Sequence, residues 1–255
     1  MIFDSHVHSY MSGDSHTPPE EEIRRAEALG LGLVFTEHMD YDLVSTVSFE
    51  VDVEKYLPLY EKFRGPGVCL GLEIGLTHQS NEWNAALAKD PRLDFVLGSI
   101  HMVNGLDIYT DLYKRRTREE AATAYLETML QMVRENPWFD SLAHIDYPAR
   151  VNPYAPQDLL YEEYSTYYDL IFRQLVENGQ IIELNTRRLG KPEAARSLYT
   201  LYKRYYELGG RYVTLGSDAH VSENIGHCFP QARVMLDEIG LTPVWFMGRK
   251  MRRNG

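Results

Sequence analysis

Cysteine is scarce in this chain: among 255 residues there are two, Cys69 and Cys228. Two thiols so far apart cannot form the dense framework that staples small secreted domains, so a reducing, cytoplasmic setting is the simplest expectation. Long apolar runs are missing too. No window approaches the roughly 20 residues that span a bilayer, and the opening Met1-Ile2-Phe3-Asp4-Ser5-His6 lacks the basic-then-apolar pattern of an export signal. No membrane partner is expected. Positive charge is in deficit: 26 Lys and Arg against 37 Asp and Glu give a formal net charge of −11. That balance repels phosphate backbones, disfavours nucleic acid and leaves a small molecule as the expected partner. No stretch is rich enough in Gly, Pro or Ser to act as a linker. With 44% hydrophobic residues, residues 1–255 read as a single domain, a length that one α/β barrel fills.

What is present is a repeated unit: an amphipathic stretch, a glycine, a short aliphatic run, then a polar residue fit for chemistry. Ala26-Glu27-Ala28-Leu29-Gly30 leads to Leu33-Val34-Phe35 and Thr36-Glu37-His38; Leu175-Val176-Glu177-Asn178-Gly179 leads to Ile181-Ile182-Glu183-Leu184 and Asn185; Tyr206-Glu207-Leu208-Gly209-Gly210 leads to Tyr212-Val213-Thr214-Leu215 and Gly216-Ser217-Asp218. A glycine at that point suits a left-handed helix cap, and the run after it suits a buried parallel strand. Further strands are expected at Ile2-Phe3-Asp4, 68–72, 95–100 and 141–143, about seven in all. A first helix is expected from Thr17-Pro18-Pro19, with Thr17 as its cap and Glu20, Glu21 and Glu22 in the first turn. Alternating helices and strands imply a parallel sheet with right-handed crossovers, and chemistry at most strand ends implies a closed barrel. Tyr161, Tyr164, Tyr167 and Tyr168, then Tyr199, Tyr202, Tyr205 and Tyr206, recur at helical spacing, as expected of helices packing on the barrel's outside. The basic tail Arg249-Lys250-Met251-Arg252-Arg253 reads as a solvated end.

His6-Val7-His8 follows the first strand, and alternate positions on an extended segment send both imidazoles to one side, where they can share a metal ion. Ligand-type residues recur at the other strand ends: His38, Glu73, His101, His144, and the pair Asp218 and His220. On the loop after the first strand, Asp14 or the neighbouring His16 could join them. Six imidazoles and three carboxylates exceed the needs of one ion, so two or three are expected, and nitrogen with hard oxygen donors suits Zn, Mn or Fe. Glu37 and Asp4, beside ligands, are candidates to orient imidazole rings. Arg150 and the pair Arg187 and Arg188 fall in loops that would rim the mouth, where a guanidinium fork can grip an anion. His78 and His227 lie off the strand ends and read as surface residues.

Together these residues resemble the polymerase and histidinol phosphatase (PHP) superfamily of metal-dependent phosphoesterases. The likeness rests on Asp4-Ser5-His6-Val7-His8-Ser9, Thr36-Glu37-His38, Gly71-Leu72-Glu73, Ser99-Ile100-His101, Ala143-His144 and Gly216-Ser217-Asp218-Ala219-His220, in the family's order. The chain is most similar to the stand-alone histidinol-phosphate phosphatases, which carry a segment similar to Glu183-Leu184-Asn185-Thr186. The resemblance implies a distorted seven-stranded (βα)7 TIM-like barrel with a trinuclear centre at the C-terminal strand ends. It implies that His6, His8, Glu73 and Asp218 hold one ion, that Glu73 bridges to a second held by His101 and His144, and that Asp14, His38 and His220 hold the third. Many relatives have histidine where Asp14 stands, which leaves His16 as an alternative. The expected activity is hydrolysis of a small-molecule phosphate ester, L-histidinol phosphate first, with Asp218 or His220 as the acid for the leaving alkoxide and Arg150, Arg187 and Arg188 as substrate-binding residues. Phosphotyrosine or a nucleotide would use the same centre. An amidohydrolase-type reaction is disfavoured because no lysine falls at a strand end, and a non-catalytic metal module because the ligand set is complete.

Overall fold

Each of the short apolar runs forms a strand, and the glycine-ended amphipathic stretches form helices, in a computed structural model that describes residues 1–253. In chain order the elements are β1 (Ile2–Val7), α1 (Pro19–Ala28), β2 (Leu31–Met39), α2 (Val53–Tyr60), β3 (Val68–Gly75), α3 (Asn81–Leu87), β4 (Phe95–Ser99), a small hairpin of β5 (Met102–Val103) and β6 (Leu106–Asp107), α4 (Arg118–Glu135), β7 (Ser141–Leu142), α5 (Tyr161–Asn178), β8 (Ile181–Asn185), α6 (Pro192–Glu207), β9 (Tyr212–Gly216), α7 (Phe229–Ile239), β10 (Thr242–Met247) and β11 (Lys250–Arg253). Gly30 (φ 68°) and Gly179 (φ 74°) take the left-handed conformation expected after α1 and α5. Thr17 does not cap α1: the N-cap is Pro18, and the Thr17 hydroxyl donates instead to the His220 carbonyl at 3.2 Å.

The main sheet has nine strands in the order β1-β2-β3-β4-β7-β8-β9-β10-β11, parallel throughout except for β11. The expectation of seven strands closed into a barrel is therefore corrected, and the reason lies in β10. It takes the edge of β9, pairing Thr242, Pro243 and Val244 with Tyr212, Val213 and Thr214, which β1 would need for a continuous closing ladder. β1 instead meets the chain just beyond β9, where His8 N–H donates to the Ala219 carbonyl and Asp218 N–H to the His6 carbonyl, both at 2.9 Å. The tail is exposed but not free: it folds back as β11 on β10, and Arg249 bonds Asp140 (2.6 Å) and the carbonyls of Trp138 (2.6 Å) and Ala88.

Strand alternation gives the sheet two faces. One packs against the helices, with Leu33, Phe35, Leu70, Leu72 and Leu184 meeting Tyr164 and Tyr168 of α5 and Tyr202 and Tyr205 of α6 in the main core, as the tyrosine spacing predicts. On the other, Phe3, Val34, Cys69, Phe95, Ile181, Val244 and Phe246 form a second apolar cluster toward the N-terminal strand ends, sealed by Trp245 stacked on Phe3 at 4.8 Å. Steps of two residues along these strands lead from Val34 to His38, from Cys69 to Glu73 and from Ile181 to Glu183, so the same face becomes polar toward the C-terminal ends.

Candidate metal centre

Glu73 stands at the middle of this polar half, buried at the end of β3. Its Oε2 lies 3.3 Å from His6 Nε2, 3.4 Å from His8 Nε2 and 3.0 Å from His38 Nδ1. Its Oε1 lies 2.8 Å from His144 Nε2 and 3.3 Å from His101 Nε2. Asp218, from the turn after β9, places Oδ1 3.8 Å from His6 Nε2 and 3.7 Å from His8 Nε2. At the rim, Asp14 Oδ2 is 2.9 Å from His220 Nε2 and 3.6 Å from His38 Nε2. The structure thus brings together all nine residues read from the strand ends and their loop, with Asp14 beside the rim histidines. His78 is exposed and bonded to Glu135, away from this cluster. His227 sits against Cys228, its Nε2 3.3 Å from the Sγ.

The donor set fits divalent ions. Two nitrogens each about 2.0–2.1 Å from one tetrahedral ion stand about 3.3 Å apart; His6 Nε2 and His8 Nε2 are 3.0 Å apart, and His101 Nε2 and His144 Nε2 3.4 Å. Glu73 Oε2, His38 Nδ1 and Asp40 Oδ2 are buried without a hydrogen bond of their own, as atoms that face a shared cation would be. Groups able to hold an ion form from His6, His8 and Glu73, from Glu73, His101 and His144, from His6, His144 and Asp218, and from His8, His38 and His220. Charge is organised to match. Burial pushes the Glu73 carboxyl up, but His6, His101 and His38 outweigh it and hold the group well below the usual carboxylate range. Asp218 is likewise held well down: burial opposes ionisation, while Arg150, His6, His220 and Arg187 enforce it. Burial and the neighbouring His38 and His220 hold His8 well below the ordinary histidine value, leaving it a neutral donor.

The arginines divide. A cavity of about 650 Å³, lined among others by Glu73, His101, His144, Arg150, Arg187 and Asp218, opens above the centre. Arg150 lies 2.6 Å from Asp218 Oδ2 and over the Tyr147 ring, and Arg187, half-exposed, lies 3.5 Å from Asp218 Oδ1. Arg188 also lines the cavity, but its buried guanidinium is already committed to Asp146 and Asp158, 2.7 Å from each. Of the adjacent pair, Arg187 is the exposed one beside Asp218, whereas Arg188 is held between two carboxylates through Nη1.

Two carboxylates that hold imidazoles escaped the sequence reading. Glu183 accepts from His6 Nδ1 at 2.7 Å and from the His144 backbone N–H at 2.9 Å. Asp40 lies 2.8 Å from His101 Nδ1. Glu183 was visible as a lone charge within an apolar strand, and Asp40 as the next step of two beyond His38. Asp4 does not orient a ring, since it accepts from Ser217 N–H (2.9 Å), Ser217 Oγ (2.6 Å) and Gly226 N–H (2.9 Å). Glu37 acts on His8 at one remove: it accepts from Ser12 Oγ at 2.6 Å, and that oxygen lies 3.2 Å from His8 Nδ1.

The chain is similar to known proteins over most of its length. The PHP domain matches residues 4–187. A probable histidinol-phosphatase of Clostridium acetobutylicum is 42% identical over 253 residues, 99% of each chain, and a histidinol-phosphatase of Lactococcus lactis subsp. lactis is 29% identical over 98% of this chain and 96% of its own. The crystal structure of histidinol phosphate phosphatase from the latter organism, complexed with Zn, L-histidinol and phosphate, superposes with a TM-score of 0.90 at 29% identity, covering 99% of both chains. With its donors gathered on one sheet face and its similarity running from end to end, this chain belongs to the PHP domain family.

Proposed function

We propose that the protein hydrolyses L-histidinol phosphate to L-histidinol and inorganic phosphate, using two or three divalent ions of Zn, Mn or Fe. One observation carries the reading: nine metal-type donors gather at one centre, seven of them lining a cavity together with two available arginines, in a chain that aligns over 99% of its length with a structure holding Zn, L-histidinol and phosphate. Residues 1–255 are read as one domain, because the sheet runs through the chain in sequence order.

His6, His8, Glu73 and Asp218 would hold one ion, Glu73 with His101 and His144 a second, and Asp14, His38 and His220 a third. Bound ions lower the pKa of water toward neutrality and neutralise phosphoryl oxygens. Arg150 and Arg187 flank Asp218 and donate to the non-bridging oxygens, each able to offer two parallel hydrogen bonds. Arg188 contributes indirectly, by fixing Asp146 and Asp158. Asp218, held well below the usual carboxylate range, does not suit the role of proton donor; His220 could protonate the departing alkoxide only with its Nε2 free of the third ion. Asp107 also lines the cavity, its carboxylate fixed by Tyr109 N–H (2.7 Å) and Thr110 Oγ1 (2.9 Å), and offers the substrate's ammonium an anion.

Phosphate release from L-histidinol phosphate, against phosphotyrosine and a nucleoside monophosphate with Zn, Mn or Fe supplied, tests the proposal. The expected result is a kcat/KM at least about a hundredfold higher for histidinol phosphate. Equal turnover of another ester overturns the substrate, and no release from any ester by metal-loaded protein overturns the reaction.

A further inference from the structure

Two glycines at strand ends stand where a side chain has no room. A Cβ on Gly216, at the end of β9, would overlap Glu183 Oε1 and lie 2.6 Å from His6 Cβ. A Cβ on Gly75, at the end of β3, would overlap Asp40 Oδ1 and lie 2.8 Å from its Cγ. Neither glycine has a positive φ, so backbone conformation does not demand glycine at either place. Space does. What fills the space is, in both cases, a buried carboxylate against the Nδ1 of an imidazole: Glu183 Oε1 at 2.7 Å from His6, and Asp40 Oδ1 at 2.8 Å from His101. In both rings the other nitrogen, Nε2, then faces Glu73, at 3.3 Å each time. The two arrangements come from different strands and different carboxylate types, yet end in the same geometry.

We propose that Gly216 and Gly75 are positioning residues for the metal centre: each vacates the space from which a carboxylate locks an imidazole in the tautomer that offers Nε2 to an ion. A neutral imidazole has one N–H and one lone pair, and a carboxylate at Nδ1 takes the N–H. The lone pair is thereby fixed at Nε2 and the ring held from turning over. A methyl group on Gly75 meets only the carboxylate residue, whereas one on Gly216 meets the carboxylate and also His6 Cβ. The inference rests on the centre holding metal, as read above, and its test reads zinc affinity rather than turnover, so the two can fail separately.

Zinc-loaded protein is titrated with a chromophoric chelator. Gly75→Ala and Gly216→Ala are each expected to weaken zinc binding by about 10–100-fold, the usual consequence of losing a partner that orients a ligand. Gly32→Ala is the control: its Cβ would lie 2.6 Å from the Phe3 ring, on the apolar half of the face, so it lowers Tm but leaves zinc affinity within about twofold. On an Asp40→Ala background, adding Gly75→Ala costs nothing further, because the three nearest atoms to that Cβ all belong to Asp40. Unchanged affinity in both glycine variants, equal loss in Gly32→Ala, or a full Gly75→Ala effect without Asp40 overturns the proposal. Should the alanine variants fail to fold, Glu183→Gln, which keeps backbone and volume, decides by the same titration: a 10–100-fold loss supports the proposal and wild-type affinity overturns it. Wild-type protein that binds no zinc would overturn the reading of the centre itself.

Discussion

On one face of one sheet, the half toward the N-terminal strand ends is packed with Phe3, Phe95, Phe246 and Trp245, and the half toward the C-terminal ends with His6, His38, Glu73 and Asp218. Accessibility does not separate them, for Phe95 and His6 are both 0% exposed and Glu73 is 1% exposed. The source of stability does. The apolar half gains about 25 cal/mol for each Å² removed from water. The polar half must offset the desolvation of several charges by mutual attraction, and leaves atoms such as Glu73 Oε2 and His38 Nδ1 without hydrogen bonds. The first half is complete as it stands, whereas the second is arranged around something that is not protein.

The largest expected effect comes from Glu73→Gln, which removes the negative charge that five imidazoles surround. Turnover of histidinol phosphate should fall well beyond the 10–100-fold typical of an orienting neighbour, with the far-UV circular dichroism unchanged; retention of more than about a tenth of the rate would break the contrast between the halves. Next is Phe95→Ala in the apolar half, expected to cost about 3–5 kcal/mol in denaturant unfolding while zinc per folded chain stays at the wild-type level. If zinc is lost in proportion, the halves are not separable.

The arginines sharpen the boundary. Arg150→Ala and Arg187→Ala should lower kcat/KM about ten- to a hundredfold with metal content unchanged, with lysine restoring only part for want of the planar fork. Arg188→Ala should spare kinetics by comparison and instead destabilise the fold, because it strands Asp146 and Asp158. Paired kinetic and unfolding measurements on the three variants separate the roles. The smallest effect concerns Glu22 of α1, buried with neither oxygen hydrogen-bonded. Burial first, then Glu37, Glu21 and Asp4, push its pKa up to about 10. A carboxyl raised in the folded state stabilises fully below its unfolded pKa, and that contribution fades as pH climbs toward 10. Glu22→Gln should therefore match wild type near pH 4 and gain on it steadily as pH rises toward 8. A constant difference across that range would show that Glu22 does not titrate as its surroundings dictate.

The parallel strands and the ligand set were legible because each rests on a local rule. A glycine-capped helix, a short apolar run and a polar residue at its end all lie within about a dozen residues, as in Gly179 through Asn185. β10 was not legible: it opens Thr242-Pro243, and proline inside a strand is a poor sign of pairing. β11 escaped because Lys250–Arg253 is mostly exposed and has the composition of a free tail. The partners of the imidazoles were hidden for another reason. Glu183 and His6 are 177 residues apart in sequence, and no periodicity connects them; only the fold does. The same distance explains why Asp4, two residues from His6, was the natural candidate and the wrong one.

The hairpin of β10 and β11 has a consequence for how the molecule comes into being. Its aromatic residues Trp245 and Phe246 complete the apolar half of the sheet face, and they follow every residue that supplies a metal donor. A chain emerging from the ribosome therefore presents all of its imidazoles and carboxylates before the floor beneath them can be laid. Until residue 242 has been synthesised, Phe3, Val34 and Cys69 lie open on one side, a sticky surface that invites association with other nascent chains. The order of synthesis thus leaves this apolar half of the sheet face open until the last strands are made.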